Sequence, residues 1–379
     1  NETDLNTIKQ LVNKDIKTWF SNIRNILQSE ASPLALRNGK WRIKQRKELW
    51  DSLATRIFDS DLENFKKLCI NVLAELDPQF DLPIEDRFSA SLYGKTIKNS
   101  HELRKGISES LALLGNRTKN FTNCSLNKPE ITAHLSVREI LKTSDWRLWG
   151  SLNDLLPLLA EAAPNEFLNS VEHALKQSPS PFDELFPRKS ISITDRNYIT
   201  GLLWALETLA WEEEFLVRVC VILGELTTRD PGETNWVNRP SNSLRTILLP
   251  WFPQTTASIE KRKVAIQALQ REFPMVAWNL LLSLLPNQHQ TTTGSHKPAW
   301  RIVIPEDWGR NIPGQEYWQQ VLFYAETVVS MASSDTDKLP EIIKNLDNLP
   351  KPSFDKVLEL FSSENISGLP ENQRLLIWN

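Results

Sequence analysis

Glycine is scarce in this chain: 12 of 379 residues, about 3% against a usual level near 7%. Glycine weakens helix interiors, so its rarity, beside abundant Leu, Glu, Lys and Ala, favours helices. Cysteine is scarcer still. Cys69, Cys124 and Cys220 are odd in number, widely spaced and free of any CxxC, so neither a disulfide framework nor a zinc site is suggested. That usage fits a reducing compartment, and a cytoplasmic location is expected. There is no charge excess to speak of. A net charge of −3 gives no general attraction to nucleic acid or to anionic membranes. No apolar run is long enough to span a bilayer, so no membrane partner is expected. Without a signal peptide, the Asn-x-Ser/Thr triplets at Asn116, Asn120, Asn123 and Asn365 are read as chance. The chain opens at Asn1 rather than methionine, and is expected to be a piece of a longer protein.

What is present is a recurring pattern. The stretches 49–76, 152–175, 202–226, 264–286 and 339–361 each read as an apolar helix, a short break and a second apolar helix. The breaks carry Pro164, Pro274 and Pro350, or acids at Asp59, Asp61 and 212–214, all suited to a first helical turn. Aligning the second helices places Phe65, Leu168, Leu216, Trp278 and Phe354 in one column. Three residues on, Leu68, Val171, Val219, Leu281 and Val357 form another, on the same helical face. A lone helix pair cannot bury such a face, whereas pairs stacked side by side can. The expected fold is therefore all-α, an irregular HEAT- or TPR-like solenoid of helix pairs. The spacing is uneven, 48 residues from Leu168 to Leu216 and 62 from Leu216 to Trp278.

The N-terminal third, 1–115, departs from the pattern. Residues 5–28 space Ile8, Leu11, Val12, Ile16, Trp19, Phe20, Ile23 and Leu27 like one long amphipathic helix. Around Asn38-Gly39, alternation of Leu34 and Leu36 with Trp41 and Ile43 predicts a small β-hairpin at about 34–43. Residues 77–101 predict a connection and then a helix. Residues 116–132 predict a polar loop, and 133–379 the helical-repeat domain.

No catalytic constellation stands out, and no cofactor is expected. "GKT" at 94–96 resembles the tail of a phosphate-binding loop, but position 89 is serine rather than glycine and no strand precedes it. Lys40, Arg42, Lys44, Arg46 and Lys47, with Trp41, could contact nucleic acid. Alternation on a hairpin more simply gives a solvated face. His289 and His296 lie seven apart without a neighbouring cysteine or acid, and are read as surface loop.

The best lead is 230–255, "DPGETNWVNRPSNSLRTILLPWFPQT", an insertion between two helical stretches. "DPGE" signals a turn. Ser243 before Leu244, Ile247 and Leu248 predicts a short helix that ends before Pro250. Trp236 and Trp251 are expected over the ends of helix pairs, and Asn235, Asn238, Arg239 and Asn242 as hydrogen-bond partners of main chain. The segment reads either as a bridge between repeats or as a partner surface, because Trp and Arg dominate binding hot spots. The candidate residues are Trp236, Arg239, Asn242, Arg245, Trp251 and Gln254.

The stretches "WALETLAW" (204–211), "FLVRVCVILGEL" (215–226), "DPGETNWVNRPSNSLRTILLPWFPQTTASIEKR" (230–262), "LQREFPMVAWNLLLSLLP" (269–286) and "PAWR" (298–301) resemble a known region. It is the helical region that follows the ATPase core in large bacterial STAND-type NTPases, including those of antiviral defence. "LRNGKWRIKQRKELWDSLA" (36–54), "DPQFDLP" (77–83) and "SHELRKGISESLALLG" (100–115) resemble the segment upstream, so the resemblance covers nearly the whole chain. It implies a sensor that carries no chemistry, joined to an ATPase domain elsewhere in the full-length chain and triggered by a protein of an invader. Neither Walker motif occurs here, so the chain would not itself be the NTPase. The alternatives are a nucleic-acid-binding accessory module and a purely structural scaffold.

Overall fold

A computed structural model describes residues 1–143, 145–186, 197–232, 236–287, 290–309, 312–362 and 371. Asn235, His289 and Asn365 lie outside them. Of the described residues 66% are helical, 3₁₀ turns included, and a single small hairpin is the one sheet among them. No described helix is long and apolar enough to cross a membrane. Two compact units divide it: residues 1–205 with 299–301, and residues 206–298 with 302–379.

The first unit opens with α1 (Glu2–Val12) and α2 (Ile16–Gln28). The single long helix expected over 5–28 is thus two. Asn13 takes a left-handed conformation (φ 47°), and the Asp15 carboxylate accepts the Lys17 and Thr18 amides as a new N-cap. Asparagine tolerates that geometry and aspartate competes for backbone donors, so local chemistry outweighed an unbroken apolar stripe. The hairpin stands where alternation put it. β1 (Leu34–Arg37) pairs with β2 (Lys40–Ile43), Leu34 facing Ile43. Asn38 and Gly39 both have positive φ, 51° and 74°, as a two-residue primed turn requires.

Next come α3 (Arg46–Ala54) and α4 (Asp59–Leu73). The helix foreseen within 77–101 is a pair of 3₁₀ turns, Pro78–Asp81 and Ile84–Tyr93, the latter broken at Ser89. Then follow α5 (His101–Asn116) and α6 (Lys128–Ile140). The polar loop expected at 116–132 is therefore shorter. Pro129, fixed in φ and lacking an amide donor, suits the first turn of α6, which reaches back to Lys128. After α7 (Trp146–Ser151) come α8 (Leu156–Ala162) and α9 (Pro164–Leu175), separated by the single residue Ala163. α5 packs on α6 and α8, and α4 on α6. At Gly115 the approach is so close that a Cβ would lie 2.0 Å from the Ala162 carbonyl oxygen. Trp149, fully buried, takes Phe182 edge-on at 4.9 Å between centroids.

The boundary between the units falls within α10 (Thr200–Ala210). The second unit continues with α11 (Leu216–Arg229), α12 (Pro240–Leu248), α13 (Ile259–Glu272) and α14 (Pro274–Leu284). α15 (Gly314–Ser334), α16 (Leu339–Ile343) and α17 (Lys351–Phe361) complete it. α11 packs on α12 and α13, α14 on α13 and α15, and α15 on α17. A buried polar chain runs through this packing. Arg262 donates to the Ala257 carbonyl at 3.0 Å and to the side chains of Gln320 and Glu316. The Tyr324 hydroxyl donates to the Leu248 carbonyl at 3.0 Å, which closes the end of α12.

All five helix–break–helix segments are present, and the column Leu68, Val171, Val219, Leu281 and Val357 is buried throughout. In the other column Leu168, Leu216 and Trp278 are buried, and Phe65 and Phe354 half-buried.

Candidate functional site

The segment 230–255 folds as two parts around α12. Before it, Asp230 ends α11, and its carboxylate accepts the Gly232 amide at 3.0 Å. Arg239 donates to the Trp236 carbonyl at 3.2 Å and lies 3.5 Å from the Asp230 carboxylate. Asn242 donates to the Val237 carbonyl at 2.7 Å. Trp236, Arg239 and Asn242 therefore build one local turn. The helix itself starts at Pro240, three residues before the expected Ser243, because proline fits a first turn and cedes no hydrogen bond there. Ser243 is instead buried and donates to the Glu207 carboxylate at 2.6 Å. Arg245 is half-buried, its Nε without a hydrogen-bond partner among the described residues.

After α12 the chain turns at Leu249-Pro250 and presents Trp251, which stacks against Phe252 with rings 19° from parallel. Gln254 is fully buried. It donates to the Phe252 carbonyl at 3.2 Å and accepts the Ser295 amide at 3.2 Å. Of the six candidates, Gln254 thus acts as a bridge within the unit and cannot face a partner, while Trp251 reaches the surface, 36% exposed.

Trp251 forms one wall of an open cavity of about 650 Å³, lined also by Pro286, Asn287, Gln290, Tyr317, Asp347 and Asn348. Each element arrives for a local reason. α14 stops at Leu284, and Gln290 satisfies its end by donating to the Ser283 and Leu285 carbonyls at 3.0 and 2.8 Å. The Gln290 oxygen then accepts the Trp251 indole N–H at 3.0 Å, which fixes the ring. Tyr317 stands in the first turn of α15, and burial pushes its phenol above the ordinary range. Asp347 and Asn348 come from the 3₁₀ turn Leu346–Asn348, where Asn348 donates to the Asn345 oxygen at 3.3 Å.

Sequence reasoning found Trp251 but not its companions. The polar run containing Asn287 and Gln290 reads as an ordinary loop. Tyr317 belongs to a helix whose spacing of Val321, Tyr324, Ala325 and Val328 could have been noticed. Nothing in the sequence brings Asp347 to Trp251.

The remaining motifs resolve into structure. Gly94 caps a 3₁₀ helix in the left-handed region, and Lys95 pairs with Asp81 at 3.1 Å, so "GKT" is a turn with an ion pair. Arg46, read as part of a solvated basic face, pairs with Glu109 and lies 5.4 Å over the Trp300 ring; Lys47 lies 5.8 Å from the same ring. His296, read as a loop residue, is held fast. Its amide donates to Glu207 at 2.8 Å, its carbonyl accepts the Trp211 indole at 3.1 Å, and its ring meets Thr208 at 3.0 Å. In the first unit Glu161 does similar work, accepting the amides of Ala299, Trp300 and Arg301 at 2.6–3.0 Å. Burial raises both carboxyls above the usual range, opposed by those same donors. Burial also pushes the Cys220 thiol up to about 12 and Cys69 well upward, and Cys124 donates to the Ile57 carbonyl at 3.3 Å. Thiols so shifted carry no thiolate near neutral pH. Among the described residues no group of three or more metal-ligating side chains occurs.

No known protein-family model matches this chain, and no curated protein matches it.

Proposed function

We propose that the chain is a non-enzymatic helical recognition module whose partner is a protein and whose contact site is the Trp251 pocket. One observation carries this reading: an exposed indole, locked by Gln290, forms the wall of a roomy cavity with Tyr317 and three amide side chains. A rigid aromatic beside polar groups of fixed direction is the usual anchor of protein recognition, giving area at little entropic cost. The helix–break–helix segments would be the units of an irregular α-solenoid, with the pocket on a loop edge. The resemblance to STAND-type NTPases supports a sensor role in a larger chain, in which an invader protein binds one state of an ATPase better than the other and so shifts the balance.

Panning a displayed peptide library against the purified chain tests the recognition role. The expected result is a recurring peptide motif whose capture is lost in Trp251→Ala while the variant still melts cooperatively. No enrichment above an empty support, or enrichment indifferent to Trp251→Ala, would overturn it. For the sensor role, the full-length gene product should carry a phosphate-binding loop and a Walker B acid outside these residues.

A further inference from the structure

The polar atoms around the Trp251 pocket are unevenly used, and the imbalance selects by charge. The Trp251 N–H, the one donor on that ring, is spent on Gln290. The Gln290 amide is spent on the carbonyls of Ser283 and Leu285. The Asn348 amide donates to Asn345, which leaves its own oxygen available. Asp347 is exposed, and its carboxylate has no hydrogen-bond or ion-pair partner among the described residues. None of the described residues lining the pocket is basic. Beside the Asn287 amide and the Tyr317 hydroxyl, the lining brings together acceptor oxygens, one negative charge, and an indole and a phenol with electron-rich faces. Cations are stabilised over such faces, and a guanidinium also matches a carboxylate in two parallel hydrogen bonds. A phosphate would meet the Asp347 charge with no basic residue among the described lining to offset it.

Resting on the reading that this pocket is the recognition site, we propose that it takes a cationic side chain of the partner, arginine above lysine. The guanidinium stacks on Trp251 and pairs with Asp347, and the planar group outcompetes an ammonium because it does both at once.

The test uses three blocked tripeptides, Gly-Arg-Gly, Gly-Lys-Gly and Gly-citrulline-Gly, titrated against the purified chain by ligand-observed NMR. Citrulline keeps the shape of arginine and removes its charge. The arginine peptide should bind with Kd on the order of 1 mM, and citrulline about three- to fivefold more weakly, the size of one exposed charge pair. Asp347→Asn, an exposed and unpaired position, should fold like the parent and bring the two Kd values together. Equal binding of arginine and citrulline, a ratio unchanged by Asp347→Asn, or no arginine binding at about 10 mM overturns the proposal. If both peptides bind equally and both are lost in Trp251→Ala, the charge selection fails while recognition at the pocket stands. If panning yields no motif at all, recognition itself fails.

Discussion

Trp251 shows how one side chain serves both stability and display. Set over the ends of helix pairs as part of a bridge, the ring is expected from sequence to be at least partly buried, and the loss on truncation would then be that of a core tryptophan, about 3–5 kcal/mol. The ring is partly open, however, with Phe252 on one side and the cavity on the other. Trp251→Ala should cost nearer 2 kcal/mol, visible as a lower but still cooperative thermal transition; a loss on the core scale would place the ring in the interior. Charge at single residues also sets a pH response. Glu63 bonds Lys128 and lies 2.8 Å from Lys66, which holds its carboxyl down at about 2. A depressed folded value means that stability is fully present above the unfolded value, about 4.3, and lost as pH falls toward 2. The melting-temperature gap between the protein and Glu63→Gln should be constant above about pH 5 and shrink below it. A gap independent of pH would show the pairs to be energetically silent.

At the scale of elements, helix ends and helix contacts were decided by different things. Ends followed local chemistry: Asp15, Ser100 and Ser258 accept amides of the first turns that follow them, and Pro129, Pro164, Pro240 and Pro274 sit in first turns. Contacts followed shape. α5 and α8 approach only because Gly115 has no side chain, and a methyl there would meet backbone rather than a yielding side chain. Gly115→Ala should lower stability by about 1–3 kcal/mol or more although alanine is the better helix former. A neutral or higher melting temperature would show that the two helices can part without loss.

For the whole molecule, the decisive quantities are helix content and charge. Far-ultraviolet circular dichroism should report a mainly helical protein, as the 66% helix among the described residues implies. The net charge is −3, and two of the five basic residues at 40–47 are engaged, Arg46 by Glu109 and Trp300 and Lys47 by Trp300, so the run offers few free charges to phosphate. Duplex DNA or RNA should therefore give no salt-sensitive binding in a mobility-shift titration, because few phosphates could be neutralised. A steep salt dependence would move the chain to the nucleic-acid class.

Features that depend on neighbours along the chain could be read from residue order. Scarce glycine and 3.6-residue spacing marked most helices, Asn38-Gly39 marked the hairpin, and proline marked several breaks, since propensity, periodicity and turn geometry act over a few residues. Residue order was misleading where two local signals competed, as at Asn13 and Asp15. The other features came from packing between distant segments. Glu161 reaches residues 299–301, Gln254 holds Ser295, and Asp347 shares a cavity with Trp251 across nearly a hundred residues of chain. Those pairings come from how apolar faces close-pack and from the need to satisfy every buried donor, and neither condition leaves a periodic trace in the sequence.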